Sequence, residues 1–356
     1  MKKLGRAFNH LEDLVFFYGS DGVKEAIQHI QEICNDSSSV RMKWDGGLQV
    51  YWGREYENGP LIVTGHNGWS RGCKSTTPEQ LYDFIVNQSG KDRDNVTEQR
   101  KKHAIKFGNL FPLLDAATPK DFVGFVYADL LYWDKPPLAN DEYNFYPNHT
   151  GYTVHKDTKL GKRIEKSNIL LAGHAYFDAF GLKDEQQLPL ENFDSFNTTV
   201  EVIVLNPYYS KVDIQYRLTA ETIDNINAMC DHLDEFLKPI AGVSAFREYI
   251  YKYINTKMKD DKILSFYSWI NSGKCSLSSI SQQTKILNRL HNNYAAYTDT
   301  FILISTIRDI KNEIITELEN HDCDVKAYNP EGWVRYSDEN KQFGNIKLVP
   351  RHKWTP

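Results

Sequence analysis

Val40-Arg41-Met42-Lys43-Trp44-Asp45-Gly46-Gly47-Leu48-Gln49-Val50 is the stretch on which the reading of this chain turns. An apolar lead-in delivers a lysine into Lys-Trp-Asp-Gly, and alternating apolar residues from Leu48 predict a second strand. A lysine at its ordinary pKa is protonated and not nucleophilic, so a reactive one must be desolvated or set beside other cations. Gly46 and Gly47 remove side chains where a backbone has to come close to a ligand such as a nucleotide. Asp45 adds a carboxylate that can hold the loop or contact a sugar. The same tetrapeptide also suits an ordinary hairpin turn with Asp-Gly as the turn pair, so the rest of the chain has to decide.

Lys43 to Gly46 resembles motif I, KxDG, of the covalent nucleotidyltransferases, which include ATP-dependent DNA and RNA ligases and mRNA capping enzymes. Pro330-Glu331-Gly332-Trp333-Val334-Arg335-Tyr336 resembles motif IV, whose glutamate contacts metal or ribose. Gly344-Asn345-Ile346-Lys347-Leu348-Val349 resembles motif V, whose lysines grip the α-phosphate, and the order I, IV, V is that of the superfamily. Phe122 to Tyr132 is an apolar and aromatic run, read as a buried strand and interrupted by one carboxylate, Asp129. Ala128-Asp129 resembles a shortened motif III. An aspartate satisfied by backbone N–H groups is the alternative, although an unpaired buried carboxylate is costly.

Motif IIIa supplies an aromatic that stacks on the purine. Ile169 to Asp178 is its best match, through Tyr176 or His174, with a core tyrosine as the plain alternative. Val200 to Leu205 is a second match without aromatics. Leu61 to Gly72 resembles the ligase segment that contacts the ribose, through either His66-Asn67-Gly68 or Ser70-Arg71-Gly72, and a polar hairpin loop fits it equally. Leu48 stands where KxDGxR enzymes carry arginine, as in phage RNA ligases, so the resemblance is to a divergent tailed-phage form.

The resemblance implies an α+β fold: a ligase-type adenylation core of twisted, mostly antiparallel sheets with an all-helical insert. It implies ATP and Mg2+, with Lys43 as nucleophile and Lys347 neutralising the α-phosphate. Asp45, Gly46, Arg71, Tyr176, Glu331 and Lys347 would bind the nucleotide, and Asp129 and Glu331 the metal. The partners implied are DNA or RNA ends or nicks, through a lysyl-AMP whose adenylate passes to a 5′-phosphate. The chain ends at Pro356, shortly past Lys347, with no room for the OB-fold that DNA ligases and capping enzymes carry there. Two other functions therefore stay open. One is a catalytically degenerate protein with a structural or nucleic-acid-binding role, and the other is transfer of the nucleotide to a protein or small molecule.

With 356 residues the chain can bury a large core in two structural units. A net charge of −5 excludes a uniformly basic nucleic-acid binder. A phosphate-binding surface must then be local, at Arg351, His352 and Lys353 or at Arg100-Lys101-Lys102-His103, the latter also readable as a solvated helix face. The five scattered cysteines show no Cys-x-x-Cys pair and predict reduced thiols in a cytoplasmic protein without a zinc site. No signal peptide and no long apolar run is present, so no membrane is expected.

Four segments are expected: 1–35 helical, 36–217 the first part of the core, 218–323 a helical insert, and 324–356 the second part of the core. Leu11, Leu14, Val15 and Phe16 cluster first. After the Gly19-Ser20-Asp21-Gly22 break, Val23, Ala26, Ile27, Ile30 and Ile33 repeat at helical spacing. Helical interruptions of the strand-rich part are expected at Pro78–Val86 and from Asp94 to about Leu114. Thr219 predicts an N-cap ahead of Ile223, Ile226, Met229, Leu233 and Leu237. Ile286 to Leu318 continues the helical repeat, and the insert is a candidate surface for a protein partner.

Overall fold

The computed structural model describes residues 8–36, 40–88, 97–183, 186, 194–196, 199–206, 214–257, 266–273, 275, 279–320, 324–329, 332–335 and 345–351. The chain begins with β1 (Phe8–Asn9), α1 (Leu11–Tyr18), α2 (Ser20–Asn35) and β2 (Val40–Met42). It continues through β3 (Leu48–Arg54), β4 (Ile62–Gly65), α3 (His66–Arg71), α4 (Pro78–Asp83), α5 (Glu98–Gly108), α6 (Leu110–Ala117) and β5 (Gly124–Tyr132). Next come β6 (Leu138–Ala139), β7 (Glu142–Phe145), β8 (Gly151–His155), α7 (Lys159–Ile164), β9 (Ile169–Phe177) and β10 (Val202–Leu205). A helical block follows: α8 (Ala220–Ala228), α9 (Leu233–Phe236), α10 (Phe246–Lys257), α11 (Phe266–Asn271), α12 (Ile280–Asn292) and α13 (Tyr294–Asn320). The last strands are β11 (Val325–Tyr328), β12 (Trp333–Arg335) and β13 (Asn345–Leu348).

Local chemistry accounts for many of these boundaries. Thr77, Thr97, Thr158, Thr219 and Ser279 each stand in extended backbone, and each side chain accepts a hydrogen bond from the amide three residues on. Thr219 therefore caps α8, as its sequence predicts. The helix it begins is shorter than the apolar repeat suggests, because α8 stops at Ala228 and Leu233 belongs to α9.

The described residues form two compact units, and the fold is mixed α+β with several sheets and no barrel among those residues. One unit takes in the described parts of Met42–Ser210 and Asp322–Glu331; the other takes in those of Arg6–Arg41, Lys211–His321 and Gly332–Pro356. The units do not follow the four consecutive segments read from the chain. The N-terminal helices group with the helical block and with the last two strands.

In the first unit a five-stranded sheet runs β10-β9-β5-β3-β4, with β10 parallel to β9 and the other pairs antiparallel. One face of this sheet carries Val50, Trp52, Val126, Ala128, Leu130 and Leu171, packed against Phe107, Leu110 and Leu114 of α5 and α6. Each valine, leucine or phenylalanine among them contributes roughly 1.5–3 kcal/mol by leaving water. A four-stranded antiparallel sheet, β11-β8-β7-β6, completes the unit.

In the second unit β1-β13-β12-β2 form a four-stranded sheet, and α1 is almost wholly buried. Burial of α1 takes Glu12 and Asp13 out of water, where unpaired carboxylates are prohibitively costly. Lys311 of α13, itself fully buried, donates to Glu12 Oε1 at 2.6 Å, and Arg351 Nε donates to the same oxygen at 2.7 Å. Arg351 also pairs with Asp13 and donates to Asn255. Burial alone pushes the Glu12 carboxyl up, but Lys311 and Arg351 outweigh it and hold the group well below the usual carboxylate range. This correction falls on Arg351: it is a buried structural cation and does not belong to an exposed phosphate-binding patch. His352 and Lys353 lie outside the described residues.

Glu12→Gln leaves two buried cations under-compensated and is expected to cost about 3–5 kcal/mol in chemical denaturation. Because the folded carboxyl titrates below its unfolded value, its contribution is present above an unfolded pKa of about 4.3 and is lost as pH falls toward the folded value. The difference between wild type and Glu12→Gln should therefore shrink on acidification below about pH 4.

Candidate functional site

The Lys43–Gly47 segment is not a hairpin turn. β2 ends in the β1-β13-β12-β2 sheet whereas β3 lies inside the five-stranded sheet, so the segment is a crossing loop. Trp44 anchors it: the indole is 2% exposed, with its ring centroid 4.8 Å from that of Tyr152. The Asp45 amide donates to the Tyr152 hydroxyl at 2.8 Å, and Asn148 Nδ2 donates to Asp45 Oδ2 at 2.6 Å. Asn148 Nδ2 also reaches the Gly46 carbonyl at 3.3 Å. Asp45 thus holds the loop, one of the two roles its sequence leaves open.

Gly46 and Gly47 are tight against protein. A Cβ on Gly46 would fall 2.5 Å from Asp129 Cβ and 2.8 Å from the Leu130 carbonyl oxygen; one on Gly47 would fall 2.4 Å from the Pro147 carbonyl oxygen. The close approach expected toward a nucleotide is here an approach to β5 and to the Pro147 turn. It lets the Gly46 amide donate to Asp129 Oδ2 at 3.3 Å and the Gly47 amide to Leu130 O at 3.1 Å.

The sheet face opposite the main core carries the polar groups. Register pairs Gln49 with Asp129 and Tyr51 with Tyr127, and alternation puts all four on this face. Trp69, Tyr51 and Tyr127 stack in a row, Tyr51 lying 4.7 Å from Trp69 and 4.8 Å from Tyr127 between ring centroids. Gln49 Nε2 donates to the Tyr127 hydroxyl at 2.8 Å. A register shift between β5 and β9 at Tyr127/Ala128 adds His174 to the row, 5.1 Å from Tyr127 between centroids. His174 Nε2 lies 3.1 Å from Asp129 Oδ2, close enough for an ion pair once protonated but not aligned as a hydrogen bond. Asp129 Oδ1 is buried without a hydrogen-bond partner.

Other expected site residues are not gathered here. His174 and Tyr176 are two positions apart, so an unbroken strand would show both on one face. The register shift instead puts Tyr176 opposite Val126, on the core face, where its hydroxyl bonds to Asp178. Tyr176 is thus excluded from the row that contains His174. Arg71 is exposed in the last turn of α3, which replaces the polar hairpin loop, while His66 at its start lies 6.5 Å from Tyr51 between ring centroids. Lys347 sits half-buried on β13 in the other unit. There burial, with Arg351 and Lys311 and then Lys347, holds the His10 imidazole well below its ordinary pKa. Glu331 lies outside the described residues. Arg100 Nε donates to the Ile85 carbonyl and Lys101 pairs with Glu98, so half of that basic cluster is used locally.

A divalent cation would find Asp129 here, beside the Asp45 carboxylate that Asn148 holds, and no group of three His, Cys, Asp or Glu side chains that could hold a metal occurs among the described residues. Magnesium keeps several waters and is often bound by one or two carboxylates plus substrate phosphates, so the orphaned Asp129 Oδ1 fits that demand. No helix among the described residues is long and apolar enough to cross a membrane. Gln49, Tyr51 and Tyr127 escaped the sequence reading although their two-residue spacing was visible. Asn148 and Tyr152 carried no signal at all, since their role depends on contacts about a hundred residues away.

A family model described as a family of unknown function (DUF6267) matches residues 98–355. No curated protein and no solved structure matches the chain.

Gly46→Ala is expected to destabilise the protein by about 1–3 kcal/mol through overpacking against β5. Tyr152→Phe should cost about 1 kcal/mol by removing the acceptor of the Asp45 amide. Chemical denaturation of the two variants beside wild type checks both values.

Proposed function

The chain belongs to the family of unknown function DUF6267, and we propose that it is an ATP-dependent nucleotidyltransferase that joins polynucleotide ends through a lysyl-AMP on Lys43. The single observation that supports this best is the Lys43–Gly47 crossing loop. Its backbone is tied to Asp129 on the sheet face that carries Tyr127 and His174. That arrangement sets a KxDG lysine, a buried carboxylate and aromatic rings within one unit, in keeping with a ligase-type adenylation core.

In this reading the nucleotide lies along the face lined by Tyr127, His174 and Gln49. The Lys43 amine, once deprotonated, attacks the α-phosphorus of ATP. A P–N bond forms, the bond to the β-phosphate oxygen breaks, and pyrophosphate leaves with the electron pair. Asp129 would hold magnesium through Oδ1, and the metal would neutralise charge on the phosphate oxygens. His174 positions Asp129. The adenylate is then transferred to a 5′-phosphate, and a 3′-hydroxyl displaces AMP. The family resemblance also assigns Lys347 to the α-phosphate and Glu331 to the metal or ribose, and variants of each test that assignment.

Incubation with α-labelled ATP and magnesium, followed by denaturing electrophoresis, is expected to give a labelled band that Lys43→Ala abolishes. His174→Ala should lower the labelling rate by about 10- to 100-fold, the usual cost of losing a partner of a metal-holding group. Absence of label with both ATP and GTP, from folded protein free of prebound nucleotide, sinks the transferase reading. Leu48 in the arginine position favours that second reading, a ligase-like protein that binds nucleotide or nucleic acid without transfer. Label that passes to a protein or small molecule and not to nicked duplex or single-stranded ends would replace ligation by modification.

A further inference from the structure

We infer that a cavity of the first unit receives an unstacked base and its phosphate from a single-stranded nucleic acid. This strand-holding role, on the sheet face away from the reacting groups, rests on the nucleotidyltransferase reading. The cavity, about 360 Å³, is walled by Trp133, Phe145, Tyr146 and His103 and shares Gly47 and Pro147 with the crossing loop. Leu48 and Leu130 also reach it, and both project to the core face of the sheet. The cavity therefore opens on the face opposite Asp129 and His174, at the far side of the loop. Asn148, which clamps Asp45 and Gly46, follows Pro147 directly, so an occupant would press on the turn that holds the KxDG segment.

The walls specify the class of ligand. Trp133 is half-buried and Tyr146 is 65% exposed, so their rings can take a base; base–aromatic stacking recurs in single-strand binders because every base offers a π-face. Cationic charge stands at the same place. Lys106 Nζ lies 5.0 Å over the Trp133 ring and 2.9 Å from Asp134 Oδ2, in an ion pair exposed on both sides. Such a pair is weak enough for a phosphate to replace the carboxylate. Lys102, exposed one turn earlier, shares the helix face of His103 and Lys106. The Arg100 to His103 cluster thus divides: Arg100 and Lys101 are used within the local fold, His103 lines the cavity, and Lys102 is exposed four residues before Lys106. At the lower end of the ~300–1,000 Å³ range of ligand pockets, the space suits one nucleotide unit and not a duplex.

The test is fluorescence anisotropy of 5′-phosphorylated, 3′-fluorescein single-stranded RNA and DNA oligonucleotides with the full chain in magnesium. Wild type is expected to bind one or both, with affinity that falls as salt rises. Lys102→Glu/Lys106→Glu, Trp133→Ala and Tyr146→Ala should each weaken binding about tenfold or more. Tyr146→Ala serves if Trp133→Ala fails to fold. Affinity unchanged in all these variants, or no binding by wild type, would overturn the inference. Lys43 labelling, run in parallel, separates the two ideas. Oligonucleotide binding lost in the variants of a protein that never labels keeps the cavity and removes the transferase. Normal labelling with unchanged oligonucleotide affinity removes the cavity and keeps the transferase.

Discussion

Two glycine backbones pressed against a strand set the geometry of the first unit. Gly46 has no space for a Cβ beside Asp129, and Gly47 has none beside Pro147. Because both positions are bare, the loop can reach β5 closely enough to hydrogen-bond Asp129 and Leu130. The buried Trp44 and the Tyr152 hydroxyl then leave the loop one way to lie. Lys43 emerges from this arrangement half-buried, and Asp129 is held with one oxygen committed and the other unpartnered.

The first and second units meet the same physical demand, the burial of charge, with different outcomes. In the second, Glu12 and Asp13 are matched by Lys311 and Arg351, and a buried match of this kind stabilises the fold mainly because breaking it is so costly. In the first, Asp129 has a glycine amide and a histidine at ion-pair distance, without a buried cation of the kind that holds Glu12. Each of the three carboxylates keeps one buried oxygen without a hydrogen bond, so the difference lies in the cations that compensate Glu12 and Asp13.

Local elements were legible because their causes are local. The apolar repeat of Val23 to Ile33 lies on one face of α2, and Thr219 caps α8 through a bond to an amide three residues away. The continuous apolar runs around Asp129 and Ile169 became β5 and β9. The site was legible only in part. Residue type and spacing marked out the Lys43 to Gly46 segment and Asp129, and the Gly46 amide joins the two. The choice between His174 and Tyr176 was not legible, because one extra residue in the β5–β9 pairing turns Tyr176 to the other face of the sheet, and alternation cannot reveal an insertion of that kind.

Residue type and spacing along the chain were enough to point to an α+β protein, a helical block in the 218–323 region and a buried carboxylate at Asp129. Tertiary structure alone decided that β2 and β3 part into different sheets, that Arg351 is spent on Glu12 and Asp13, and that α1 packs with the helical block. The division has a single cause. Helix caps and hydrophobic periodicity are set by neighbours within a few residues, whereas strand partners and buried ion pairs join positions as far as 339 residues apart. Sequence order carries no record of which distant partners will meet.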